Sequence, residues 1–255
     1  MTPQLPKGFL AAPLAHRGLH DVTDVRPENS RASIRAAIDN GYGIEIDVQL
    51  SADDRAMVFH DYDLARLAHG TGPVRSVPAG TLGDITLRGG EEGIPTLDEV
   101  LRLVDGQVPL LIEIKDQDGA MGTNIGPLEA AVGTAITGYP GPLAVMSFNP
   151  NSVLCMAVLC PNVPRGLVTS AFELSAWPLP VETCERLREI PDYDRVGASF
   201  ISHEAADLAR PRVAELKGAG ANVLCWTIRS PHQEAEARTV AENVTFEGYL
   251  AAQPC

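Results

Sequence analysis

The sequence predicts a (β/α)8 TIM barrel with a short insertion after the second strand, and three observations lead there. Short apolar runs bounded by Gly, Pro and Asn recur eight times and alternate with segments of helical period. The length of 255 residues matches what one such barrel needs, about 250 residues. No break in composition divides the chain, which favours closure of eight parallel strands over the runner-up, an open doubly wound sheet. One domain over residues 1–255 is therefore expected, with an insertion at about 61–95.

The first strand is read at 13–16 and the second at 43–48. Asn29 or Ser30 can cap the helix between them, over 29–40, and Gly41 can end it. Asp61 to Pro95 shows no helical period and is rich in Gly, Pro, Thr and Arg. Because it follows His60, it should lie over the mouth of the barrel, where the loops after strands carry function. Thr96 with Glu99 forms a capping box that opens a helix over 96–104, before a strand at 109–114. Helices over 126–137, 151–159 and 181–190 then alternate with strands at 142–146, 164–168 and 195–199. A helix over 203–218, with Gly218 able to terminate it, a strand at 222–226, a helix over 231–242 and a last strand at 247–250 complete the series.

Composition narrows the function. A hydrophobic fraction of 45% with only 5% aromatic residues describes a soluble chain with an aliphatic core. The net charge of −13 argues against nucleic acid or an anionic membrane as partner. A small anionic substrate is still compatible, since a bound divalent cation can reverse the potential inside one pocket. Residues Met1 to Leu14 hold one lysine and no apolar stretch long enough for a signal peptide. No run reaches the roughly 20 residues of a membrane helix, so a cytoplasmic location is expected. Cys155, Cys160, Cys184, Cys225 and Cys255 are odd in number and scattered, which points to reduced thiols in or near the core rather than a disulfide framework or a zinc site.

The chemistry is carried by polar residues set in or after apolar strands. A carboxylate inside an apolar strand costs several kcal/mol, roughly, unless it is paired, hydrogen-bonded or bound to a metal. Alternation sends Glu45 and Asp47 to one face, with Ile44, Ile46 and Val48 on the other. In the run 110–115 the same alternation groups Glu113 with Leu111 and Lys115. Three oxygen donors, Glu45, Asp47 and Glu113, suit a hard cation such as Mg2+, Ca2+ or Mn2+. His16 and His60 reach the same rim and can serve as base and acid. Arg17 offers a planar fork for a phosphate or carboxylate, and Lys115 adds a point charge. A cation, two histidines, an arginine and a lysine around one pocket describe phosphoryl transfer better than peptide or glycoside cleavage.

Each residue also has a structural alternative. His16 can cap a strand end, Arg17 can pair with Glu28, and Lys115 can neutralise Glu113 without meeting substrate. His20, His69, His203 and His232 sit in no matching motif and are read as structural.

The segments Ala15-His16-Arg17-Gly18, Pro27-Glu28-Asn29-Ser30, Ile44-Glu45-Ile46-Asp47-Val48, Val58-Phe59-His60-Asp61, Ile94-Pro95-Thr96-Leu97 and Ile112-Glu113-Ile114-Lys115 closely resemble the glycerophosphodiester phosphodiesterase family in order and spacing. Ser147-Phe148 and Cys225-Trp226-Thr227 extend the resemblance more weakly. It implies a metal-dependent phosphodiesterase that converts substrates such as glycerophosphocholine or glycerophosphoethanolamine to glycerol 3-phosphate and an alcohol. His16 and His60 become the acid/base pair and Glu45, Asp47 and Glu113 the metal ligands. Arg17 and Lys115 become phosphate contacts, while Trp226 lines the pocket or belongs to the core. The chain departs from the family pattern at Tyr249-Leu250-Ala251-Ala252-Gln253-Pro254, where Thr-Asp-x-Pro is common, and at Arg229, where asparagine is common. Both departures bear on the alcohol portion of the substrate. A lysophospholipase D-type activity, a non-catalytic barrel that binds a phosphorylated ligand, and a metal-dependent hydratase or lyase are the competing readings.

Overall fold

A computed structural model describes residues 2–253; Cys255 lies outside the described residues. Its strands are β1 (Leu14–His16), β2 (Gly43–Leu50), β3 (Ala56–Val58), β4 (Leu110–Ile114), β5 (Leu143–Ser147), β6 (Arg165–Thr169), β7 (Phe200–Glu204), β8 (Asn222–Ile228) and β9 (Asn243–Phe246). The helices are α1 (Gly8–Ala11), α2 (Arg31–Asp39), α3 (Ala79–Asp84), α4 (Leu97–Val104), α5 (Pro127–Ile136), α6 (Pro150–Leu159), α7 (Val181–Arg188), α8 (Pro211–Gly218) and α9 (Pro231–Ala237). All strands but β3 run parallel in the order β1-β2-β4-β5-β6-β7-β8-β9, and β9 pairs back to β1, so the sheet closes into a (β/α)8 barrel. β3 lies antiparallel on the far end of β2, with Val48 opposite Val58, and opens the insertion.

Parallel barrel strands are buried on both faces, and the two faces here hold different cores. Ile44, Ile46 and Val48 of β2 point outward into a large aliphatic layer with Val100, Val104, Leu128 and Val132 of the surrounding helices. Inside, Leu14, Leu111, Ala144, Val168, Phe200 and Leu224 form a second layer, which Phe9 of α1 joins. Gly166 on β6 makes room for this layer, since a Cβ there would come within 2.4 Å of the Phe200 ring.

The predicted caps are present. Ser30 accepts from Ser33 N at the start of α2, and Thr96 and Glu99 form a reciprocal capping box on α4. Gly41 follows the end of α2 at φ +71°, whereas Gly218 is the last residue of α8 and it is Gly220 that takes the left-handed conformation, at φ +102°.

Four expectations are corrected. The strand read at 195–199 is β7, five residues later, and the last strand is β9 rather than 247–250. Each of the true strands carries a buried polar residue, Asn243 in β9 and His203 in β7, that finds its partners inside the protein. Asn243 donates to Phe9 O and Ala12 O, each at 2.7 Å, and His203 is enclosed with Thr169 and Asp207. The helix read over 203–218 is only α8, because 203 and 204 belong to β7 and Ala205–Asp207 form a single 3-10 turn. The insertion is ordered around the helix α3 and a small apolar cluster of Phe59, Leu64, Val74, Leu82 and Ile94.

Candidate active site

All eight residues singled out from the sequence line one cavity of about 180 Å³ at the C-terminal mouth of the barrel. Barrel register explains why. Glu45 on β2 pairs with His16 on β1, and Asp47 pairs with Glu113 on β4, so four of the candidate side chains occupy adjoining positions on neighbouring strands. His60 enters from the turn after β3, Lys115 from the residue after β4, and Trp226 from β8. Met146, Phe148 and Val168 form an apolar wall.

Glu45, Asp47 and Glu113 each present an oxygen within 4.8 Å of the other two, and all three are buried. Asp47 is tied down on several sides. Asn29 Nδ2 donates to Oδ2 at 3.0 Å, Arg17 Nε lies 3.2 Å from the same oxygen, and Lys115 Nζ lies 2.8 Å from Oδ1. Lys115 also reaches Glu113 Oε1 at 2.6 Å. Glu45 Oε2 accepts the backbone N–H of Arg17 at 3.1 Å, but its Oε1 is buried with no hydrogen-bond partner.

Electrostatics agree with this geometry. Burial raises the Glu45 carboxyl well above its ordinary range, and repulsion from Asp47 and Glu113 adds to the effect. Asp47 goes the other way: burial opposes ionisation, but Lys115, His60 and Arg17 outweigh it and hold the carboxyl down. Lys115 is likewise kept protonated, since Asp47 and Glu113 overcome the cost of burial. A cluster with three acids, one orphaned buried oxygen and a proton held against its tendency is what a divalent cation would complete. The donor set, all oxygen, fits a hard cation.

His16 Nδ1 lies 2.5 Å from Glu247 Oε2, and its Nε2 is 4.0 Å from Glu45 Oε2. Burial lowers the His16 pKa although the Glu247 contact opposes it. His60 Nδ1 lies 2.7 Å from Asp61 Oδ1, and Gln49, itself held by Gln117, donates to the His60 carbonyl at 3.0 Å. Arg17 pairs with Glu28 at 2.6 Å as well as with Asp47, so the structural alternative for it is present alongside its place in the cavity wall. The Trp226 indole donates to Ser202 O at 3.0 Å while its ring meets Phe148 edge-on, 5.6 Å between centroids. It is partly core and partly pocket.

Sequence reading missed Glu247, Asn29 and the backing of His60 by Asp61 and Arg66. Glu247 is the residue immediately after β9, one step beyond Phe246, which pairs with Ala15 next to His16. The misplaced last strand hid it.

A closed parallel barrel with an acidic cluster, two histidines, an arginine and a lysine at its C-terminal mouth defines the class as a (β/α)8 barrel whose charged groups gather where such barrels carry their active sites. The model of the glycerophosphoryl diester phosphodiesterase family matches residues 16–246, and the chain belongs to that family. The Bacillus subtilis protein YhdW is 26% identical over 245 residues, covering 89% of this chain and 90% of its own. A glycerophosphodiester phosphodiesterase of Caldanaerobacter subterraneus is 32% identical over 174 residues, 64% of this chain and 69% of its own. Among solved structures, a phosphodiesterase of Oleispira antarctica in complex with the product sn-glycerol-3-phosphate superposes with a TM-score of 0.76 at 26% identity, covering 94% of this chain and 93% of that one.

Proposed function

We propose that this barrel domain hydrolyses water-soluble glycerophosphodiesters, such as glycerophosphocholine or glycerophosphoethanolamine, to glycerol 3-phosphate and an alcohol. The observation that carries the proposal is the meeting of His16 and His60 with the Glu45, Asp47 and Glu113 cluster in one cavity. The Oleispira antarctica relative holding sn-glycerol-3-phosphate supports the same product here.

Glu45, Asp47 and Glu113 would hold the cation, Mg2+ or Ca2+, with Mn2+ also suited to an all-oxygen set. When bound, it would neutralise charge on the non-bridging phosphate oxygens. Lys115 and Arg17 add positive charge on the same side and orient the phosphate. The vicinal hydroxyl of the substrate attacks phosphorus as the Nε2 of one histidine accepts its proton. The other histidine gives a proton to the departing alcohol, and water then opens the cyclic phosphate. Phe148, Met146 and Trp226 supply the apolar surface against which the carbon skeleton rests.

Among the described residues four cysteines stand as free thiols, Cys155, Cys160, Cys184 and Cys225, and a cytoplasmic location is part of the proposal. Among the described residues no helix is long and apolar enough to cross a membrane.

The test is a matrix of metals against glycerophosphodiesters, without detergent, with phosphomonoester release as readout. Release by the wild-type chain, abolished by chelator and lowered about 10²-fold or more in His16→Ala and in His60→Ala, is expected. Binding of a diester with no release under any metal would replace this reading with that of a ligand-binding barrel.

A further inference from the structure

Each pocket histidine is backed by a carboxylate and then by an arginine, and the two assemblies come from distant parts of the chain. His60 Nδ1 lies 2.7 Å from Asp61 Oδ1, and Arg66 grips that carboxylate through Nε and Nη2, each at 2.6 Å. His16 Nδ1 lies 2.5 Å from Glu247 Oε2, and Arg229 takes the other oxygen, Oε1, through Nε at 2.8 Å and Nη2 at 2.7 Å. Each carboxylate faces the Nδ1 of its histidine and is held in turn by its arginine, and Arg229 also lines the cavity.

A neutral imidazole beside an ionised carboxylate carries its proton on the nitrogen that faces it. Nδ1–H is thereby selected in either ring when it is neutral, which leaves its Nε2 lone pair to accept from the cavity; the histidine that acts as acid carries a second proton on Nε2. His203 gives the contrast. It spends Nδ1 on Thr169 at 2.8 Å and Nε2 on Asp207 at 3.2 Å, and it is fully buried, so neither nitrogen is available to a ligand.

We propose that Glu247, anchored by Arg229, is the positioning residue that fixes His16 in its Nδ1–H tautomer with Nε2 toward the substrate, as Asp61 and Arg66 do for His60. The proposal rests on the phosphodiesterase reading above. Glu247 and Arg229 act through His16. His20 Nε2, 3.5 Å from Glu247 Oε2, is a third group around the same carboxylate. The contacts from His16 and His20 hold the Glu247 carboxyl far below the usual range, so it stays an acceptor.

The split between the two carboxylate oxygens makes the test specific. In Glu247→Gln the amide oxygen is retained by the two donors of Arg229, so the amide NH2 faces His16. Nδ1 must then accept, the ring proton moves to Nε2, and the nitrogen facing the substrate loses its lone pair. A misoriented or wrongly protonated imidazole of this kind costs orders of magnitude in turnover. Removing the arginine as well, in Glu247→Gln/Arg229→Ala, lets the amide turn its oxygen to His16 and restores the tautomer.

The experiment measures kcat and KM on glycerophosphocholine with Mg2+ for the wild type and both variants. Alongside them, the ¹⁵N spectrum of the His16 ring is recorded at a pH where it is neutral, assigned by its loss in His16→Gln. Expected are Nδ1–H in the wild type and a kcat about 10²-fold lower in Glu247→Gln, with KM changed by less than about threefold. The double variant should regain about tenfold over the single one. Wild-type His16 carrying its proton on Nε2 would overturn the proposal without need of any variant. So would a double variant no faster than Glu247→Gln, or a single variant within about threefold of wild-type kcat. If the wild type releases no phosphomonoester from any diester while His16 is Nδ1–H, the phosphodiesterase reading fails and the positioning of His16 by Glu247 stands.

Discussion

Lys115 is the cation that the acidic cluster supplies for itself, and Lys115→Met removes its charge while keeping most of its length. The ammonium lies 2.8 Å from Asp47 and 2.6 Å from Glu113, with both partners buried. Removing one member of a buried pair costs about 3–5 kcal/mol, because the remaining charges are left uncompensated. For a domain of this size each kcal/mol lowers Tm by about 2–4 °C, so the variant in chelator should melt roughly 6–20 °C below wild type. A divalent cation bound by Glu45, Asp47 and Glu113 compensates the same charges, and in the variant it no longer competes with the ammonium. Saturating Mg2+, Ca2+ or Mn2+ should therefore raise the Tm of Lys115→Met more than that of wild type, with a tighter Kd by calorimetry. Under the proposed function diester turnover should nonetheless fall, because Lys115 is there assigned to the phosphate. Differential scanning calorimetry with and without each cation decides the matter. Equal cation-induced shifts in the two proteins would refute the idea that lysine and cation share these carboxylates.

Glu113→Gln removes one of three clustered charges, each worth about 1–4 kcal/mol against a second charge 4 Å away, and should weaken cation affinity about tenfold or more. An unchanged metal titration would strike Glu113 from the ligand set. Asn243→Ala leaves the carbonyls of Phe9 and Ala12 without the amide that reaches both at 2.7 Å. A loss of about 1–3 kcal/mol for each orphaned carbonyl should appear as a lower urea midpoint at constant m, and no shift would mean that α1 does not depend on this anchor. Burial pushes the Cys225 thiol from 9.0 up to about 12. Its contribution to stability is complete below pH 9 and is lost as pH rises toward 12, because the unfolded chain gives up the proton first. Wild type should lose about 1.4 kcal/mol more than Cys225→Ala between pH 8 and pH 10, and parallel curves for the two would remove Cys225 from the alkaline transition.

The barrel and its acidic cluster were legible because β2 and β4 keep apolar residues on one face while Glu45, Asp47 and Glu113 occupy the other. Alternation alone then brings the carboxylates together, whatever the exact ends of the strands. The capping pair Thr96 and Glu99 was equally readable, because it depends only on a three-residue spacing. β7 and β9 behave differently. They hold His203 and Asn243, both buried. Such residues interrupt an apolar run as strongly as a surface loop would, and what stabilises them lies elsewhere in the chain: Thr169 and Asp207 for His203, the carbonyls of α1 and its C-cap for Asn243.

The neighbour of His16 was hidden for the same reason. Glu247 is separated from His16 by 231 residues, and no spacing rule links them. What links them is height in the barrel: Ala15 pairs with Phe246 across the β1–β9 seam, so the next residue on each strand arrives at the mouth side by side. Closure of the sheet is therefore part of the chemistry as well as the architecture. An open sheet with the same strands would leave β1 and β9 as separate edges, His16 would lose its carboxylate partner, and the tautomer facing the substrate would no longer be set.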